Sequence, residues 1–212
     1  MSSRLIDIFK DNVLVEKIKK RLPYLFALAE LESSRAGKIG MQVGSLRENI
    51  IIALLIHKFG EVNVTTNIPI TEQEVDVLLF NKPISIKTIS DRKLTGVKLI
   101  WTVDPHKARE FLESYYPKSD ILFIHIVWNY YGGLYYVPLE VQEELIKKMG
   151  RDFYIKLPKP GTNPRGVEIN RDALAMLLND KNSLGIDISW KKPKIDFNPY
   201  KRWVDYWKEE SL

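Results

Sequence analysis

The 212-residue chain contains no cysteine and only three histidines. Disulfides and thiolate metal sites are therefore excluded, and a histidine-rich zinc site is not expected. A metal ion, if the protein uses one, should be a hard cation held by oxygen atoms. No apolar run reaches membrane-spanning length, and the N-terminus lacks the pattern of a signal peptide. These absences predict a soluble, intracellular (cytoplasmic) protein with no membrane partner.

The charge balance is mildly basic. Lysine and arginine together number 32 against 27 aspartates and glutamates, which gives a net charge of +5 and an isoelectric point near 9.2. This excess permits nucleic acid as a partner but does not require it. The length suits one domain with a sizeable core.

Apolar periodicity and turn residues predict a mixed α/β sheet flanked by helices. Helices are predicted over 4–34, 45–59, 105–115, 138–149 and 171–178. Strands are predicted over 62–66, 75–80, 84–89, 121–128 and 134–137, with a turn at 132–133. Loops are predicted over 35–44 and 156–167, and the tail from Trp190 onward is rich in lysine, tryptophan and tyrosine.

Residues 74–87 place polar side chains on two otherwise apolar strands. Asp76 lies on the first strand, and Ser85 and Lys87 lie on the second. Side chains two positions apart on a strand share a face, so Glu74 points with Asp76, and Ser85 points with Lys87. A carboxylate and an ammonium among Val, Leu and Ile are costly to bury unless they pair or bind a metal. These strands therefore carry a candidate functional site.

Glu48, on the helix predicted from Ser45, supplies a second carboxylate. Glu48 and Asp76 are suited to share Mg²⁺, which prefers oxygen ligands and keeps several waters, and the backbone carbonyl of Ile86 is a further candidate ligand. The metal would polarise a phosphodiester oxygen and lower the pKa of a bound water. Lys87 would orient that water and stabilise the developing charge.

Other roles for these residues compete with a metal site. Ser45-x-x-Glu48 also matches a capping box, in which Glu48 would only cap its helix. Asp76 alone would fit an ion pair with an arginine, and Lys87 alone would fit an edge strand from which it snorkels. Glu74 is an alternative ligand, or a carboxylate that is solvated or supports the ligands. Asp91-Arg-Lys93 also places a carboxylate near a lysine, but it lies in a polar segment with no buried strand around it, and we interpret it as a decoy.

The order Glu48 on a helix, Asp76, then Ser85-Ile-Lys87 resembles the PD-(D/E)xK nuclease superfamily and, within it, the ThaI family of type II restriction endonucleases. The resemblance covers most of the chain, as far as the segment 163–169. It implies that residues 1–212 form a single nuclease domain, in which 1–34 belong to the core or form a dimerisation arm, 45–150 form the catalytic core and 151–212 carry a recognition loop, a helix and the tail. It assigns metal-ligand roles to Glu48 and Asp76 and the role of catalytic lysine to Lys87, with Mg²⁺ as cofactor.

Two departures from the family pattern stand out. Val75 precedes Asp76 where the pattern has proline, and Ser85 stands where it has an acidic ligand. Glu48 would then supply the missing carboxylate.

The resemblance also implies a substrate and partners. These are double-stranded DNA cut at the centre of CGCG to blunt ends, a homodimer that gives each strand its own active site, and a companion DNA methyltransferase. A structure-specific or repair nuclease of the same fold, and a non-catalytic DNA-binding module marked by Ser85, are the alternatives.

Two segments are candidates for DNA contact. Met41 lies in the Gly-punctuated loop before the helix of Glu48, where it would either join the core or insert at a base step, with Lys38 and Gln42 meeting phosphates or base edges. The second segment is the stiff loop over 156–167, whose candidates, as an alternative to a plain solvated loop, are Lys159, Asn163 and Arg165. For the tail from Trp190, internal packing or a dimer contact is expected more than DNA stacking.

Overall fold

The computed structural model describes residues 4–35, 38–40, 42–69, 72, 74–158 and 166–209. The helices are α1 (Ile6–Lys10), α2 (Asn12–Ser33), α3 (Val43–Phe59), α4 (Pro105–Ser114), α5 (Leu139–Met149), α6 (Arg151–Tyr154), α7 (Arg171–Leu178) and α8 (Lys201–Lys208). The strands are β1 (Ser34–Arg35), β2 (Lys38–Ile39), β3 (Val64–Thr65), β4 (Val77–Leu79), β5 (Lys82–Ser90), β6 (Val97–Ile100), β7 (Asp120–Ile126), β8 (Tyr131–Val137), β9 (Ile155–Lys156), β10 (Val167–Ile169) and β11 (Leu184–Ser189). A short 3-10 turn covers Glu61–Asn63.

A six-stranded sheet with the order β11-β8-β7-β5-β4-β3 forms the centre of the molecule. Strands β5 and β7 run parallel, while the other neighbouring pairs described in this sheet are antiparallel. Strands β6, β10 and β9 form a second, antiparallel sheet. The predicted mixed α/β fold with flanking helices is confirmed.

The central sheet is covered on both faces because its middle strands are apolar on both faces. On β7, Leu122 and Ile124 pack into a core cluster with α1, α2 and α3. The alternate residues Ile121 and Phe123 pack into a second cluster with α4–α7 and the smaller sheet. The continuous apolar run of β7 therefore holds the two layers of helices together.

The N-terminal helices pack against the sheet. Helix α2 continues through Pro23, which is itself buried, and it buries Ile18 and Phe26. Ile8 of α1 joins the same cluster. No helix in the described part of the chain is both long and apolar enough to cross a membrane.

The turn predicted at Gly132-Gly133 is wrong. Both glycines lie inside β8, and the chain reverses before Tyr131, with Asn129 in the left-handed region at φ 63°. Glycine is needed at 132 because a Cβ there would collide with the carbonyl oxygen of His125 on β7. The glycine signal therefore reflects close approach of two strands, not a turn.

Several elements of the structure were absent from the sequence prediction. These are β1, β2, β6, β9, β10, β11 and helices α6 and α8. The strand predicted over 62–66 is only two residues long and follows a 3-10 turn. The tail divides into two parts, since Trp190 is fully buried between Phe26 and Trp128 whereas Trp207 on α8 is 89% exposed.

We therefore predict that Trp190→Ala lowers the free energy of unfolding by about 3–5 kcal/mol, because it empties a closely packed site. Trp207→Ala is the matched control and should change it by less than about 0.5 kcal/mol. Chemical denaturation followed by circular dichroism measures both values. Equal effects of the two substitutions would contradict the burial of Trp190.

Candidate active site

A carboxylate oxygen of Asp76, the residue just before β4, links this end of β4 to β5. Oδ2 of Asp76 accepts the backbone N–H of Ile86 at 2.5 Å and the hydroxyl of Ser85 at 3.2 Å. The N–H of Asp76 in turn donates to the carbonyl of Ile84 at 2.9 Å. The carboxylate is thereby fixed in position, and no described residue donates a hydrogen bond to its second oxygen, Oδ1.

Ser85 holds the Asp76 carboxylate from the position where the family pattern has an acidic ligand. Its side chain is buried, and its hydroxyl donates to Asp76. A carboxylate at 85 would place a second negative charge within hydrogen-bond distance of Asp76. Serine therefore orients Asp76 instead of repelling it.

Lys87 lies on the same face of β5 as Ser85, as the alternation predicts. Its Nζ is 3.8 Å from Oδ2 of Asp76, and the two side chains are 17% and 20% exposed. The ammonium is thus close enough to attract the carboxylate, but this distance is too long for a direct hydrogen bond. It remains accessible from the cleft described below.

Glu48 is not part of a capping box. Helix α3 begins at Val43, its N-cap residue Gln42 makes no side-chain capping bond, and Ser45 lies inside the helix. Glu48 is therefore free of that role and lines the same cleft as Asp76 and Lys87. Burial and, next, the negative charge of Asp76 raise the pKa of Glu48, while Lys87 acts in the opposite direction.

Glu74 is held by Tyr115 and Ser119, which lie between α4 and β7. Its Oε2 accepts the hydroxyl of Tyr115 at 3.1 Å, and its carbonyl accepts the hydroxyl of Ser119 at 3.2 Å. Its backbone adopts φ 69°, which non-glycine residues rarely adopt. Burial raises the pKa of Glu74 from 4.5 to about 7, opposed by the Tyr115 hydrogen bond and by Lys87.

Helix α3 is anchored by a buried charge network that the sequence did not reveal. Arg47, next to Glu48, donates to Oε1 of Glu30 at 2.6 Å. Glu30 also accepts the indole N–H of Trp128 and the Nζ of Lys192, each at 2.7 Å. This network fixes the rotation of α3 and therefore the direction in which Glu48 points.

These groups open onto one cleft of about 850 Å³. The main-sheet side carries Glu48, Glu74, Asp76, Ile86 and Lys87, and the opposite wall is formed by residues 95–101 and Glu168. The N–H and the C=O of one strand residue point to the same side of the strand. Because the N–H of Ile86 donates to Asp76, the carbonyl of Ile86 faces the Asp76 side as well. The cleft therefore gathers three carboxylates, those of Glu48, Glu74 and Asp76, beside Ile86 and Lys87.

The donor set suits a hard cation with few protein ligands. Within the described ranges, no group of three or more His, Cys, Asp or Glu side chains is arranged to hold a metal ion. Glu48, Asp76 and the Ile86 carbonyl would leave the remaining positions to water, which is the habit of Mg²⁺.

The predicted DNA contacts are only partly visible. Lys38, on β2, and Gln42, just before α3, are both exposed. Gly44, the second residue of α3, lines the cleft, so this segment adjoins its entrance. The other predicted contacts lie outside the described residues, namely Met41, Lys159, Asn163 and Arg165.

The Asp91-Arg-Lys93 segment is an exposed bend, as expected of a decoy. The N–H of Lys93 donates to Asp91 Oδ1 at 3.2 Å, so the carboxylate is used locally. Asp91 also lines the cleft that Lys87 lines, whereas Arg92 and Lys93 do not.

The molecule has a mixed sheet flanked by helices, and its carboxylates and lysine lie together where the pairing of β4 with β5 ends. This arrangement defines a nuclease of the restriction-endonuclease fold. A family model described as restriction endonuclease ThaI matches residues 8–209. A solved structure titled "Restriction endonuclease in complex with substrate DNA" is 56% identical, with a TM-score of 0.92, and the match covers 97% of this chain and 99% of that one. A search of curated proteins returned no match. The chain belongs to the ThaI family and is a type II restriction endonuclease, a site-specific deoxyribonuclease.

The raised pKa of Glu74 leads to a prediction about stability in metal-free protein. Between pH 4.5 and about 7 the folded protein holds a proton on Glu74 that the unfolded chain releases. Stability therefore falls as pH rises through this window. Glu74→Gln stays neutral and keeps an acceptor for Tyr115, so it should be more stable than wild type by about 1–3 kcal/mol at pH 8 and show no such gain at pH 4.

Denaturation in EDTA at the two pH values measures this difference. Glu113→Gln on α4, which replaces an exposed carboxylate, is the matched control and should show no pH-dependent gain. A Glu74→Gln protein that gains nothing between pH 4 and pH 8 would contradict the assignment.

Proposed function

We propose that this restriction endonuclease hydrolyses phosphodiester bonds of double-stranded DNA with Mg²⁺ held by Glu48, Asp76 and the Ile86 carbonyl. The observation that carries the proposal is the fixed Asp76 carboxylate beside Lys87, in one cleft with Glu48. A hard divalent cation is favoured there because the facing groups are oxygen atoms and the chain has no cysteine. When bound, the metal supplies polarisation of a phosphoryl oxygen and an acidified water.

The chain's own residues then have separate tasks. Asp76 presents its Oδ1, because Oδ2 already accepts Ile86 and Ser85. Glu48 presents a second carboxylate from α3. Lys87 orients the attacking water and stabilises negative charge on the phosphorus centre as it becomes pentavalent.

DNA recognition is proposed to involve both predicted segments. Lys38 and Gln42 are exposed beside the entrance of the cleft and suit contacts to phosphates or base edges. Met41 inserts at a base step between them. Lys159, Asn163 and Arg165 contact the target from the loop before β10.

The target and assembly are proposed from the family. The site is CGCG, cut at its centre to blunt ends, by a homodimer whose two-fold axis matches that of the DNA. A companion methyltransferase protects the host site. The solved relative was determined with substrate DNA, which supports duplex DNA as the ligand.

Plasmid cleavage tests the proposal. Unmethylated plasmid with Mg²⁺ should yield discrete fragments whose sequenced ends are blunt and share CG at the break. EDTA should abolish cleavage, and Lys87→Ala should lower the rate by at least about 100-fold, because the lysine acts on the charge that develops in the transition state. Lys93→Ala, in the exposed decoy, is the matched control and should cut normally.

Other products would identify the competing functions. Nicks or smears with no shared end sequence would favour a structure-specific or repair nuclease. Retained DNA binding with no cleavage in any metal would favour a non-catalytic module. If Lys93→Ala lost activity and Lys87→Ala kept it, the result would indicate that the active site lies at residues 91–93.

The Met41 hypothesis has its own test. Met41→Ala should weaken binding to the target duplex, because the inserted side chain stabilises the distorted base step. A fluorescent base analogue at that step should show less unstacking with the variant. Met149→Ala, an exposed methionine at the end of α5, is the control. Unchanged affinity and unchanged base fluorescence in Met41→Ala would count against insertion.

A further inference from the structure

The wall of the cleft opposite the catalytic residues carries a large exposed aromatic side chain. Trp101 follows the last residue of β6, lines the cleft and is 71% exposed. An indole ring is among the largest apolar surfaces a residue can present, and it is normally buried against a partner. Its exposure in the cleft indicates that a ligand covers it.

A positive charge lies directly on the ring of Trp101. The Nζ of Lys98 is 3.7 Å from the centre of the Trp101 ring system. Across the β6–β10 ladder from Lys98 lies Glu168, whose carboxylate also contacts Lys156 at 3.4 Å. The cation and the aromatic face therefore form one composite surface on this wall.

The backbone of Trp101 is held in place by its neighbours. Strand β6 is paired with β10, and Gly166 adopts φ 116° against the end of β6. A Cβ at Gly166 would collide with the carbonyl of Ile100 and approach the Cα of Trp101 to 3.1 Å. The backbone that carries the ring is therefore fixed at this end of β6.

We propose that Lys98 and Trp101 bind the DNA strand that enters the active site, Trp101 by packing its ring on a base or sugar and Lys98 by contacting a phosphate. The inference rests on the proposed function, and it adds a strand-binding surface opposite the catalytic residues. An aromatic face next to a cation is the combination that holds a polynucleotide strand, since each nucleotide offers a flat base and a negative phosphate. The surface lies on the smaller sheet and lines the same cleft as Lys87, so its role is to position the strand.

Binding is measured in a Lys87→Ala background with Mg²⁺, using a short duplex that carries the mapped cleavage site. Trp101→Ala should raise the Kd by about 5- to 100-fold, because stacking on an aromatic ring is worth about 1–3 kcal/mol per base. Trp101→Phe should recover part of the loss. Lys98→Gln should reduce the slope of log K against log salt by about 0.9, the loss of one phosphate contact.

Tyr130→Ala, which removes an exposed aromatic ring outside the cleft lining, is the matched control and should bind as the parent does. Thermal unfolding of Trp101→Ala should match the parent, since the ring is mostly exposed. Unchanged affinity of Trp101→Ala, or an equal loss in Tyr130→Ala, would overturn the proposal. Failure of the otherwise wild-type enzyme to cut any plasmid would overturn the proposed function as well.

Discussion

The geometry of the candidate active site depends on one oxygen atom, Oδ2 of Asp76. It meets three consecutive residues of β5, namely the hydroxyl of Ser85, the backbone N–H of Ile86 and, at longer range, the ammonium of Lys87. These contacts extend the β4–β5 hairpin beyond its backbone ladder, which ends at Val77. The position of the carboxylate, the direction of the Ile86 carbonyl and the placement of the lysine are therefore set together.

The carboxylates of the cleft are poorly solvated. Burial and, next, the negative charge of Asp76 raise the pKa of Glu48, and burial raises the pKa of Glu74 to about 7. Lys87 acts in the opposite direction on both groups. A divalent cation bound there would lessen the repulsion between Glu48 and Asp76.

The sequence predicted the fold class, and it predicted Glu48, Asp76 and Lys87 as a candidate site, because the signals are local. Asp76 and Lys87 interrupt apolar strands, and Glu48 lies on the helix predicted from Ser45. The structure brings the three residues to one cleft. The sequence could not show that α3 starts at Val43, which removes the capping box, nor that Glu30 anchors this helix from a position 17 residues away in the chain. Those features arise from contacts between distant residues, on which local patterns carry no information.

The missed strands have two different causes. Strand β11 alternates buried Ile186 and Ile188 with exposed neighbours, a period-two pattern that is present in the sequence. Strands β9 and β10 are only two and three residues long. Strand β10 pairs with both β6 and β9, and these pairings, not a local sequence signal, define the two short strands. The wall that carries Trp101 therefore became visible only in the folded protein.

The most direct test of the account is anomalous diffraction from a crystal soaked in Mn²⁺, which replaces Mg²⁺ and can be located unambiguously. The account predicts a peak within bonding distance of oxygen atoms of Asp76 and Glu48 and of the Ile86 carbonyl, with water completing an octahedron. It also predicts that the peak weakens in Glu48→Gln. A peak at Asp91, or one at Asp76 that does not involve Glu48, would contradict the assigned site.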